Sequence, residues 1–191
     1  MSESQDKLAT PLWNYALQVY AQTSARGWMQ VLKQDYAIDG NLLIGAAYLA
    51  LWQRRLEAAD LAVLAESRVF FQAYHDKLQA LHGRKALVSH PDWQSTWQDL
   101  LLKTELQAEQ VQLAHLYELL RARPLRFMPW PEALEHNLIL CVEVARLDTR
   151  ADLHLQGLIA ALKKLPPVRT GGLIQGCVRL NPCRLPPDYR F

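Results

Sequence analysis

Cysteine is scarce in this chain, and it is poorly placed for chemistry. Three cysteines (Cys141, Cys177, Cys183) among 191 residues are too few, and odd in number, for a disulfide scaffold. Cys177 and Cys183 have five residues between them, outside the spacing of structural zinc sites. No two of the six histidines stand four apart, and His136 and Cys141 do not fall on one helical face. No metal site is expected. Phosphate-cradling glycine loops are missing too: there is no G-x-G-x-x-G and no Walker-type run. Ser67, Ser89 and Ser95 lack the flanking glycines of a nucleophile elbow. Neither a catalytic residue nor a cofactor is expected, so the chain does not read as an enzyme.

Long apolar runs are missing as well. The longest, Leu42 to Trp52, falls short of the roughly 20 residues that span a bilayer, so no membrane contact is expected. The opening Met-Ser-Glu-Ser-Gln-Asp-Lys has neither the basic nor the apolar part of a secretion leader. A cytoplasmic, reduced location is the expectation. Net charge is only +2, so no global field points to nucleic acid or to a lipid surface.

What is present is helical. Half of the residues are hydrophobic and 21% are charged, which is enough for a packed core. Apolar residues recur at helical period, with no sustained strand-like alternation. Thr10-Pro11 is an N-cap followed by proline at the first helical position. Thr23 or Ser24 can cap a second helix bearing Trp28, Val31 and Leu32, and Asp39 or Asn41 a third. That third helix is apolar almost all round, so it is expected at the centre of a bundle. A fourth runs from about Glu57 to Leu81 and stops at His82-Gly83. The longest starts at Ser89-His90-Pro91-Asp92, with Trp93, Trp97, Leu100, Leu101, Ala108, Val111, His115 and Leu119 on its inward face. Lys103, Glu105, Gln107, Glu109 and Gln112 read as its solvated side. Helices opening at Pro131 and at Thr149 follow.

The expected fold is therefore all-α, a single-domain bundle of about six or seven helices over residues 10–165. Residues 1–9 are expected to be disordered. Residues 166–191 hold half of the ten prolines and read as an irregular tail. From Lys163 onward six basic residues face one acid, so the tail is basic.

Two constellations could carry function. Asp35, Asp39 and Asn41 form a polar turn that could hold a cation or a cationic group. Helix capping accounts for the same residues and is the preferred reading. The segment from Arg121 to Pro131 sets Arg121, Arg123 and Arg126 among Phe127, Met128 and Trp130, with prolines between. Arginine, methionine and large aromatics are interface anchors, and the mixture could also stack and pair with single-stranded nucleic acid. The preferred alternative turns Phe127 and Trp130 into the core and leaves the arginines to cap the long helix.

Leu12-Trp13-Asn14-Tyr15-Ala16, then Tyr20, Gly27, Leu32-Lys33-Gln34-Asp35, Asp39 and Asn41-Leu42-Leu43 together resemble a small, uncharacterised proteobacterial family. More weakly, the resemblance extends to Glu105-Leu106-Gln107-Ala108-Glu109 and Asn137-Leu138. The chain departs from it at Tyr48, where a tryptophan is expected, and in lacking a Pro-Leu-Arg turn near Lys77-Leu78-Gln79-Ala80. The resemblance implies an all-helical, cytoplasmic domain and no activity. Taken together, the expectation is a non-enzymatic interaction or adaptor protein with an unidentified protein partner; the alternative is a nucleic-acid accessory protein using the arginine segment and the basic tail.

Overall fold

Local chemistry starts the first helix as expected. Thr10 Oγ1 accepts the Trp13 amide at 3.2 Å and Pro11 occupies the first turn, opening α1 (Pro11–Ala21). The computed structural model describes residues 8–83, 91–123, 126–144 and 149–165. The tail from residue 166, and all of the N-terminal segment before residue 8, lie outside the described residues. Six further helices follow among the described residues: α2 (Thr23–Tyr36), α3 (Gly40–Leu51), α4 (Ala58–Gly83), α5 (Pro91–Arg121), α6 (Trp130–Val144) and α7 (Thr149–Leu162). Among the described residues there is no strand, only one isolated bridge between Arg54 and Phe127. The fold is all-α. No helix among the described residues is long and apolar enough to cross a membrane.

The cap of α2 is not Thr23 or Ser24. Gln22 holds the N-cap position without a side-chain cap bond. Its amide instead donates to the Ala161 carbonyl at 3.1 Å, which ties the α1–α2 corner to the end of α7. Helix α2 also runs through Asp35, so that residue is helical rather than part of a turn. It ends at Ala37, which takes a left-handed conformation (φ 53°) while the Ile38 amide reaches back to the Leu32 carbonyl. That is a Schellman-type stop made without glycine.

Asp39 then caps α3, its Oδ1 accepting from the Asn41 amide at 2.9 Å and the Leu42 amide at 3.4 Å. From Leu43 to Ala50 every residue of α3 is buried. It packs against α1, α2, α5 and α6, as a helix without a polar face must. Gly45 lets α5 come close: a Cβ there would lie 2.6 Å from Leu116 Cδ2. Leu12, Leu32, Ile44, Leu113, Leu138 and Leu158 complete the central core.

The buried face of α5 differs from the expected one. Leu101 points inward as expected, but it is joined by Leu113, Leu116 and Leu120, while Trp93 (68% exposed), Leu100 and Val111 face out. The polar residues differ as well: Glu105 is buried and Glu109 and Gln112 are half-buried rather than solvated.

Asn137 of α6 is the fold's interior polar fastener. It is fully buried; its Oδ1 accepts the Leu56 amide at 2.7 Å, and its Nδ2 donates to the Arg54 and Ala46 carbonyls at 3.0 and 3.1 Å. The connection between α3 and α4 is thereby stitched to α6.

Candidate functional site

A cavity of about 440 Å³ opens where the α2–α3 turn meets α4 and α5. Its apolar side comes from Met29, Ile38 and Leu78, with Tyr20, Phe71 and Tyr74 supplying aromatic rings. Asp39, Glu105 and Glu109 line it as well, together with Arg26 and Lys33 from α2. Glu105, Ala108, Glu109 and Gln112 reach the cavity together because they are three, four and seven apart, one face of α5.

A relay of amides fixes one wall. Gln112 Nε2 donates to Asp39 Oδ2 at 3.2 Å, and Asn41 Nδ2 donates to Gln112 Oε1 at 2.8 Å. An ionised carboxylate only accepts, so Gln112 must turn its NH2 toward Asp39 and its carbonyl toward Asn41. Asn41 is then held with its NH2 committed, and its buried Oδ1 has no donor. An unsatisfied buried acceptor is costly unless something donates to it.

The charges are not in balance. Withdrawal from water pushes the Glu109 carboxyl up to about 7; Lys33 opposes this, while Glu105 and Asp39 reinforce it. Two carboxylates one helical turn apart, with a third across the cavity, make each further negative charge expensive. Among the described residues no three His, Cys, Asp or Glu side chains converge as metal ligands.

Of the expected polar turn, Asp39 and Asn41 line this cavity, and Asp35 does not. The residues missed were Glu105, Glu109 and Gln112. Their polar stripe at i, i+4 and i+7 was the available signal, but sequence could not show that this stripe packs against the polar turn.

The arginine segment is built differently. Arg123 and Arg126 pair with the buried Asp60 at 3.6 and 2.6 Å, and Arg126 also approaches Glu57 at 3.9 Å. The end of α5 is capped by Arg54, a buried residue, which donates to the Leu120 carbonyl at 3.2 Å and to the Arg123 carbonyl. The expected capping role thus belongs to Arg54 and not to the segment's own arginines. Its guanidinium is pushed below the usual arginine range by burial, with Asp60 opposing. Arg121 is exposed, pairs with Glu118 at 3.6 Å and lies over the Tyr117 ring. The segment's backbone is pinned by Arg55 N to Arg126 O (2.9 Å) and Met128 N to Gln53 O (3.0 Å). Phe127 does not turn inward: it is 75% exposed, whereas Trp130 packs half-buried on the core. Among the cysteines, Cys141 is buried, and that burial holds its thiol up at about 12, far from a nucleophilic thiolate.

The class is thus an all-helical bundle with a charged cavity at the entry of its central helix. The DUF2390 family, described as a protein of unknown function, matches residues 11–116, more than half of the chain; the chain belongs to that family. Comparison with curated proteins and with solved structures finds no match. Every residue lining the cavity, from Tyr20 to Gln112, falls inside the matched span, and the Arg121–Trp130 segment falls beyond it.

Proposed function

We propose that this chain is a non-enzymatic interaction protein whose DUF2390 domain captures a cationic side chain of a partner protein in the Asp39–Glu105–Glu109 cavity. The observation that carries the reading is the meeting of three carboxylates with an aromatic wall in one opening of about 440 Å³. That volume lies within the roughly 300–1,000 Å³ of ordinary ligand sites. A lysine or arginine side chain suits both walls. Its head pairs with the carboxylates and its stem lies along Met29 and the tyrosines. The acids are too dispersed for a bare metal ion, whose ligands must converge at about 2–2.6 Å. A reducing, cytoplasmic setting suits the low cysteine count and the free Cys141.

Phe127 supports a second contact surface. A large apolar ring 75% exposed on a pinned loop is a ready anchor for an adaptor. Nucleic acid is a weaker reading of the same segment, because Arg123 and Arg126 already spend their charge on Asp60 and Glu57.

The test is fluorescence anisotropy with short labelled peptides that differ at one central position. Peptides with arginine or lysine there should bind at least about ten-fold more tightly than those with citrulline or norleucine, the size of one charge-assisted pair. The preference should vanish in the Glu105→Gln/Glu109→Gln variant. Equal binding of all four peptides would refute the reading.

A further inference from the structure

We infer that the cavity exchanges a proton for its cationic ligand, with Glu109 as the group that gives the proton up, so that occupancy rises with pH. The inference rests on the cation-capturing reading above and adds its regulation.

Geometry is the starting point. Glu109 sits on the cavity face of α5 with Glu105 one turn before it. Arg26 and Lys33 face it from α2, Asp39 from the α2–α3 turn, Tyr20 from α1 and Tyr74 from α4. Helix α3 contributes the neutral Asn41, whose Oδ1 lacks a donor. Asp39 is already engaged, one oxygen by the amides of α3 and the other by Gln112. Burial disfavours the charged form of a carboxyl, so in the empty cavity a proton is best kept on the acid that is withdrawn from water and flanked by the other acids. Glu109, with Glu105 one turn before it and Asp39 facing it, is that one, and its carboxyl is pushed up to about 7.

A monovalent cation entering the cavity supplies the same charge as that proton. It stabilises the carboxylate, and the proton leaves to solvent: protein–COOH plus the cation gives the protein–carboxylate–cation pair plus a free proton. No covalent bond to the ligand forms and the charge of the cavity does not change. By linkage, affinity should fall as pH drops below the Glu109 value and level off above it. A domain of this kind would release its partner on acidification.

The probe is N-acetyl-arginine amide, a single positive charge on an apolar stem. Isothermal titration of the full chain in phosphate and in Bis-Tris should show close to one proton released per ligand at pH 6. Affinity at pH 8 should exceed that at pH 6 by about ten-fold, the ratio expected for one group titrating near neutrality. Glu109→Gln should bind with an affinity that no longer changes between these pH values. Carboxyl carbon NMR of the ligand-free wild type should place the Glu109 midpoint near 7 and show it falling when the probe is added. Binding that is equally tight at both pH values, with no proton release, would overturn the exchange and leave the cation site standing. A Glu109 midpoint in the ordinary carboxylate range would overturn it without reference to any ligand. Absence of binding at both pH values would overturn this inference and the proposed function together.

Discussion

Replacing Asn137 by leucine should cost this protein roughly 4 kcal/mol, because two buried backbone groups would be orphaned at 1–3 kcal/mol each. The side chain is fully buried and every polar atom of it is used. Leucine is close in size, so little cavity is left and the polar loss dominates. The Ala46 carbonyl lies inside α3 and keeps its helical partner. The Leu56 amide and the Arg54 carbonyl lose the asparagine. A loss of this size is a large share of the 5–15 kcal/mol that holds an ordinary domain together. The assay is urea unfolding followed by circular dichroism at 222 nm, comparing midpoints at equal slope. Asn137→Asp is the companion variant. It keeps an acceptor for Leu56 but turns a carboxylate toward two carbonyl oxygens, which raises its folded pKa above the unfolded value. Its stability should therefore be greatest below about pH 4 and should fall as pH rises through the folded value. A loss under about 1 kcal/mol in Asn137→Leu would refute the reasoning.

Glu109→Gln should match the wild type in stability at pH 4 and exceed it by about 1–3 kcal/mol at pH 8, measured by urea melts. The sign follows from a carboxyl raised from 4.5 to about 7: it favours the fold below 4.5 and loses that contribution as pH climbs through 7. Gly157→Ala should destabilise by about 1–3 kcal/mol despite alanine's helix preference, since the new Cβ would lie 2.4 Å from the Trp28 ring. A raised melting temperature would show that α2 and α7 are not packed as described. Leu43→Ala and Leu49→Ala, both in the buried central helix, should each cost about 2–5 kcal/mol in the same melts. Wild-type behaviour in both would remove α3 from the core.

Much of this fold was legible where local chemistry and hydrophobic period agree. Thr10-Pro11 and Asp39 act within a turn of themselves, so their capping could be read directly. Helix α3 was legible because a segment with no polar face has one place to go. Gln22 was not, since its partner is 139 residues away. The long helix misled for a different reason. Over the 31 residues of α5 the period drifts, and a face drawn through the exposed Trp93 is not the one that meets the core through Leu113, Leu116 and Leu120. The same misdrawn face hid Glu105 and Glu109 among solvated residues. Arg54 reads in sequence as part of a polar Gln53-Arg54-Arg55 exit from α3; only the approach of α5's end makes it a buried cap. Half of the cavity was thus visible as a polar turn, and its other half required knowing what packs against that turn.

The most direct test of the cation-capturing cavity is a two-dimensional amide NMR titration of the isotope-labelled chain with N-acetyl-arginine amide at pH 8. The largest shifts should fall on the amides of Ile38 to Leu42 and of Ala108 and Gln112, with none from the uncharged citrulline analogue. Shifts confined to the neighbourhood of Phe127, or equal responses to the charged and uncharged probes, would contradict it.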